Sequence, residues 1–183
     1  MFSINTFIEK CRSALKEDNP PNAISAVMLE TFKDPQAVSE AFDNNISRAT
    51  DMAELMLFRS DDLMITRVAL DPHWKSLPHD HRIWGFVGIY KGEEANTFYR
   101  ENNGSLEKTG SRTVKAGEVL AMDPETIHSI ANPLELTTIG IHVYLGDLQK
   151  QKRHLWNPFT EEKEEFELNQ FFAYERRINT DTS

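Results

Sequence analysis

At 183 residues the chain is long enough for one domain with a sizeable core and short for two. Its net charge of −9, from 20 basic and 29 acidic side chains, argues against nucleic acid or an anionic membrane surface as the main partner. It holds no apolar run of transmembrane length, its N-terminus lacks the pattern of a secretory leader, and its single cysteine, Cys11, has no partner for an internal disulfide; together these predict a cytoplasmic protein in a reducing compartment.

Residues 1–50 read as helical. Ile4, Phe7, Ile8, Cys11 and Leu15 recur at helical spacing until "DNPP" stops the run, and Ile24, Val27, Met28 and Phe32 repeat the pattern beyond it. "DPQAVSEAFDNN" opens with Asp34 as an N-cap and Pro35 at the first helical position. The three apolar stripes, Cys11 included, predict packing against the rest of the domain.

From about residue 53 the texture changes to short segments rich in β-branched and aromatic residues. "AELMLFRS", "DLMITRVAL", "IWGFVGIY", "NTFYRE", "GSLEKTG", "SRTVKAG", "EVLAM", "HSIAN" and "LTTIGIHVYLG" are separated by turn signals such as "SDD", "KGEE", "NNG", "KAGE" and "NPLE". With no βα alternation, this spacing predicts a mainly β protein, a sandwich or barrel. The expected organisation is one domain over residues 1–183. Helices at 1–50 lie outside a barrel core at 51–146, and a polar extension at 147–183 wraps the surface. The acidic "TEEKEEFELNQ" reads as a solvated helix or tail.

"LPHDHRIWGFVGIYKG" places His79 and His81 two residues apart, so on a strand both side chains project to the same face. His128, in "GEVLAMDPETIHSIAN", supplies a third imidazole. Three neutral imidazoles without a cysteine or carboxylate suit iron(II), zinc, copper or nickel better than magnesium or calcium, and three protein ligands leave coordination positions open. His73 and His154 are not expected as ligands, although His154 suits a pocket mouth. Strand alternation turns Arg82 away from the site, and Trp84 and Phe86 read as core or pocket wall. On the final strand Thr138, Gly140, His142 and Tyr144 share one face, while Ile139, Ile141, Val143 and Leu145 share the other. A histidine and a phenol on an inward face require polar partners.

These motifs resemble those of the cupin family, whose first pattern is G-x5-H-x-H-x3,4-E-x6-G and whose second is G-x5-P-x-G-x2-H-x3-N. His79, His81 and Gly92 fit the first; Gly117, Pro124, His128 and Asn132 follow the second with one extra residue. The family glutamate falls at Gly85, or at Phe86 with the longer spacing, so the carboxylate is missing. Three histidines without it resemble the thiol dioxygenases, the cysteine dioxygenase branch of the cupins, over roughly residues 53 to 158.

The resemblance implies a double-stranded β-helix with the N-terminal helices packed outside. It implies an Fe(II) centre held by His79, His81 and His128, and oxidation of a small thiol, such as cysteine or a 3-mercaptopropionate-like thiol acid, to its sulfinate with O2. Tyr144, backed by His142, is the implied catalytic pair. Gly140 stands where these enzymes carry a serine, with Thr138 or water as its substitute. Arg153 is the implied carboxylate-binding residue, with Arg59 and Arg67 as alternatives. No tyrosine–cysteine crosslink is expected, since Cys11 lies in the helical part. The rival readings are another metal-dependent cupin enzyme acting on a non-thiol substrate, and a non-catalytic cupin that binds a small ligand. Partners other than small thiol and O2 are not expected, and either a monomer or a homodimer is compatible with the sequence.

Overall fold

Helix starts follow from short polar side chains. Ser3 and Asn19 each accept a hydrogen bond from an amide of the first helical turn, at Thr6 and Asn22, and Asp34 accepts one from Ala37 N–H at 3.0 Å. The computed structural model describes residues 2–45, 54–102 and 104–180. The N-terminal helices are α1 (Ile4–Ala14), α2 (Pro20–Phe32) and α3 (Pro35–Asn45). "DNPP" does separate α1 from α2, but its two prolines belong to the first turn of α2, where a missing N–H is harmless. No helix among the described residues is long and apolar enough to cross a membrane.

The strands, in chain order, are β1 (Glu54–Arg59), β2 (Met64–Leu70), β3 (His79–Asp80), β4 (Gly85–Lys91), β5 (Glu93–Asn102), β6 (Ser105–Lys115), β7 (Val119–Met122), β8 (Ile127–Ala131), β9 (Thr138–Tyr144), β10 (His154–Trp156) and β11 (Lys163–Glu165); α4 (Leu168–Thr180) follows. They form two antiparallel sheets, ordered β1-β2-β9-β4-β7 and β11-β10-β3-β8-β5-β6. This is a double-stranded β-helix, mainly β, with the N-terminal helices outside.

The helices cover the outer face of the first sheet. Phe7, Cys11, Ile24, Met28, Phe32 and Phe42 share one buried cluster with Ile65, Phe86, Tyr90, Ile141 and Val143. Gly88 permits the contact, because a Cβ there would fall 2.4 Å from the Phe32 ring. The inner face packs separately, through Val87, Ile89, Val114, Leu120 and Met122. On β9 the apolar members therefore meet the helices, and Thr138, Gly140, His142 and Tyr144 are left to the barrel interior. Trp84 and Phe86 belong to the helix-side core rather than to a pocket wall, and Cys11, its thiol pushed up to about 12 by burial, lies there too.

Two expectations change. "GSLEKTG" and "SRTVKAG" form one strand, β6, because Gly110 continues the ladder opposite Phe98 with a bulge instead of ending it. The segment after residue 146 does more than wrap the outside. Its β10 pairs with β3 at Leu155↔His79, and Leu155 and Trp156 are fully buried.

Candidate metal centre

β3 is only two residues long and lies between β8 and β10, so His79 faces His128 directly in register. Asp80 projects the other way. Its carboxylate accepts the His154 amide at 2.6 Å and pairs with Arg82 Nε at 2.7 Å. That clamp holds Arg82 outside the barrel, and the backbone at Arg82 turns into the left-handed region (φ 59°) directly after His81. His79 and His81 thus converge through a strand end and a tight turn, not through a regular strand.

The ligand nitrogens of His79, His81 and His128 all lie within 4.8 Å of one another, and His81 Nε2 is 3.4 Å from His128 Nε2. All three side chains are buried. His79 Nδ1 is 3.0 Å from the Leu77 carbonyl and His128 Nδ1 is 2.9 Å from Asn96 Oδ1. Both acceptors require a proton on Nδ1, which leaves the Nε2 lone pairs facing inward. Burial pushes His79 down to about 4 and holds His81 and His128 well below their ordinary value; neighbouring imidazoles add to this for His81 and His128, and the Arg153 charge for His79 and His81. Neutral imidazoles whose lone pairs meet at one point are the donor set that a transition-metal ion satisfies.

Position 85, where the resemblance puts a carboxylate, lies close to the site. A Cβ at Gly85 would lie 3.2 Å from His81 Nδ1, a tight contact, and 3.5 Å from the Tyr144 ring, an ordinary one. Tyr144 lies edge-on to His81 with ring centroids 5.1 Å apart. Its hydroxyl is 3.3 Å from His142 Nδ1. Beyond His142 stands Glu94, a fully buried carboxylate on β5 whose Oε2 is 3.3 Å from His142 Nε2. Its Oε1 accepts from Asn96 Nδ2 at 3.0 Å. Neither Glu94 nor Asn96 is among the sequence-predicted site residues: "KGEE" reads as a turn, and "NTFYRE" reads as a strand with no role for Asn96. Their spacing of two, in phase with Phe98, was the available signal.

Thr138 does not substitute for the family serine. Its hydroxyl lies 2.9 Å from the Glu93 carbonyl and 3.0 Å from Asn132 Oδ1. Asn132, in turn, lies 2.8–3.0 Å from the carbonyls of Leu70, Asp71 and Leu136, so it fixes the loop between β8 and β9.

The three arginines separate clearly. Arg59 is held by Asp147 through two nitrogens, at 3.1 and 2.9 Å. Arg67 donates to the Tyr90 hydroxyl at 2.7 Å and lies over Phe42, on the helix side of the sheet. Arg153 precedes β10, stacks 3.3 Å from the Phe166 centroid, and contributes its charge to His79 and His81. From α4, Phe171 stands edge-on to His79 at 5.5 Å and touches Phe166. His73 is exposed and paired with Glu135, and His154 is bound to Asp80; neither joins the cluster.

The molecule is therefore a cupin-type double-stranded β-helix whose barrel carries a three-histidine group able to hold a metal ion. No protein-family model matches the chain. Among solved structures it is similar to an oxalate oxidase in complex with glycolate, at 18% identity and a TM-score of 0.43, over 55% of this chain and 55% of that one. It is also similar to an uncharacterized conserved protein with a double-stranded β-helix domain from Klebsiella pneumoniae, at 15% identity and a TM-score of 0.42, over 68% and 93% of the two chains. A cupin 2 conserved barrel domain protein from Salinispora arenicola matches at 16% identity and a TM-score of 0.44, over 54% and 83%. The match spans little more than half the length of the oxalate oxidase chain. At these identities the likeness concerns the fold and carries nothing about chemistry.

Proposed function

We propose that this protein is an iron(II)-dependent thiol dioxygenase that converts a small thiol acid to its sulfinic acid, RSH + O2 → RSO2H. The observation that carries this reading is the donor set, three buried neutral imidazoles with no carboxylate among them, faced by a buried Tyr144–His142 pair. Iron(II) held by His79, His81 and His128 supplies the electron-transfer chemistry that lets dioxygen react with a thiol.

The chain's own residues do the rest. Arg153, its guanidinium plane kept flat against Phe166, receives the substrate carboxylate through its two-pronged fork. Tyr144 and Phe171 confine the substrate against the histidines and keep water out. Tyr144 meets the reacting groups through its hydroxyl, held by His142.

The test is oxygen uptake by iron-loaded protein against 3-mercaptopropionate, cysteine and cysteamine, with mass spectrometry of the product. The expected product is two oxygen atoms heavier than one thiol. Arg153→Ala should raise KM for the two carboxylate-bearing thiols and leave cysteamine unaffected. Protein shown to hold iron that consumes no oxygen with any thiol would overturn the reading in favour of another metal-dependent cupin reaction.

A further inference from the structure

We propose that Glu94 is the positioning residue of this site: it holds His142 as the tautomer protonated on Nε2, so that the Tyr144 hydroxyl donates to His142 Nδ1 and turns its oxygen lone pairs toward the three histidines. As a catalytic role this rests on the thiol-dioxygenase reading. As a hydrogen-bond arrangement it stands without it.

A serine at position 140 would crowd its neighbours. A Cβ at Gly140 would lie 2.8 Å from the Gly88 carbonyl oxygen and 2.7 Å from Ile89 Cδ1. The first of these is backbone in the neighbouring strand, with Ile89 opposite Gly140 in register. No side chain at position 140 reaches His142 without moving β4. The far side of His142 is nevertheless not empty. Glu94 Oε2 faces Nε2 at 3.3 Å, and among the described residues neither atom has a hydrogen-bond partner that would satisfy it elsewhere. Both are buried, and a buried polar atom left unmatched is costly.

Proton directions then follow from the metal side inward. His128 turns its Nε2 to the centre, so its Nδ1–H donates to Asn96 Oδ1. That fixes the amide of Asn96, whose Nδ2 donates to Glu94 Oε1. An ionised Glu94 only accepts, so His142 must present a proton on Nε2. A neutral His142 with its proton there has a lone pair on Nδ1, and that lone pair accepts from Tyr144. Two arms, one from the ligand His128 and one from Tyr144, therefore end on the same carboxylate.

Replacement by the isosteric amide makes a sharp test. In Glu94→Gln the oxygen is claimed by Asn96, so the NH2 group faces His142 Nε2 and donates to it. His142 must then carry its proton on Nδ1 and donate to the Tyr144 oxygen, so the bond reverses and the hydroxyl proton is turned toward the three histidines. The assay is long-range 1H–15N correlation of the histidine side chains in the full-length protein, metal-free and again with zinc as a diamagnetic ion. The chain has six histidines, and His142 is assigned through the loss of its signals in His142→Gln.

The expected result is the Nε2–H pattern in the wild type and the Nδ1–H pattern in Glu94→Gln, with zinc stoichiometry unchanged. In iron-loaded protein kcat should fall about 10–100-fold at nearly constant KM, the size usual for residues behind a metal site. An Nδ1–H pattern in the wild type, or a His142 signal that does not move in Glu94→Gln, overturns the proposal. So does an unchanged kcat in a variant whose tautomer has flipped. The predicted tautomers in protein that turns over no thiol leave the hold of Glu94 on His142 standing and remove the thiol-dioxygenase reading instead.

Discussion

Gly140→Ala adds one carbon atom on β9 opposite Ile89 of β4, and its cost can be worked out from the neighbours. The residue needs no left-handed backbone, so alanine suits the local conformation and would ordinarily gain about 0.5–1 kcal/mol over glycine in a strand. Against this stand two contacts below 3 Å. Ile89 Cδ1, at 2.7 Å, is the end of a flexible side chain and gives way cheaply. The Gly88 carbonyl, at 2.8 Å, is backbone in a strand that is paired on both sides, with β9 and with β7, and it moves only by distorting those ladders. Overpacking of this kind costs about 1–3 kcal/mol. The net expectation is a loss of about 1–2 kcal/mol, which for a chain of this length lowers Tm by roughly 2–8 °C. Urea unfolding of wild type, Gly140→Ala and Gly140→Ser measures it, with the slope compared to confirm an unchanged transition. Both variants should fall together, since the shared Cβ is the cause. A Gly140→Ser protein as stable as the wild type would mean that a serine fits, and the reason given for the role of Glu94 would fail.

Three further outcomes follow from the same geometry. His128→Ala should abolish stoichiometric metal binding, read by elemental analysis or by titration with zinc; retention of one ion per chain would show that the ligand set is wrong. Metal-free protein should lose stability as the pH falls from about 6.5 toward 4. Unfolded histidine takes up its proton near 6.5, whereas buried His79 resists until about 4, so the unfolded state binds more protons across that window and stability is full only above it. His79 alone contributes about 3 kcal/mol to the decline, and a flat urea midpoint between pH 7 and pH 5 would contradict the burial argument. Phe32→Ala should cost about 3–5 kcal/mol, because the ring is fully buried against the bare backbone of Gly88; urea unfolding reads it, and a loss below 1 kcal/mol would mean the helical layer is dispensable to the barrel.

The parts legible in the sequence are those whose chemistry repeats over a short range. The helical stripes, the caps at Asp34 and Pro35, and the two faces of β9 all follow from local periodicity. His79, His81 and His128 stand out because inward imidazoles are rare among apolar neighbours. Glu94 and Asn96 did not stand out: a carboxylate beside a glycine reads as a turn until the hairpin's register places it inside the barrel. β10 and β11 are too short to show a period of two, and charged residues around them obscure the burial of Leu155 and Trp156. The approach of Arg153 and Phe171 to His79 depends on how α4 folds back over the second sheet, which no local pattern records. Gly140 reads in sequence as a plain departure from the pattern it resembles. In three dimensions a side chain there would press on the Gly88 carbonyl and Ile89.

The pairing of His79 with Leu155, under the edge of Phe171, bears on the order of events at the ribosome. His79 and His81 leave the exit tunnel early, but the two-residue strand that carries one of them has a neighbour on each side only after β8 and then β10 have been made. Contacts so distant along the chain form late. A nascent chain therefore presents only a loose pair of imidazoles until β8 brings His128 opposite His79. An ion that used all three would be bound after that point and enclosed once Leu155 and Phe171 have followed.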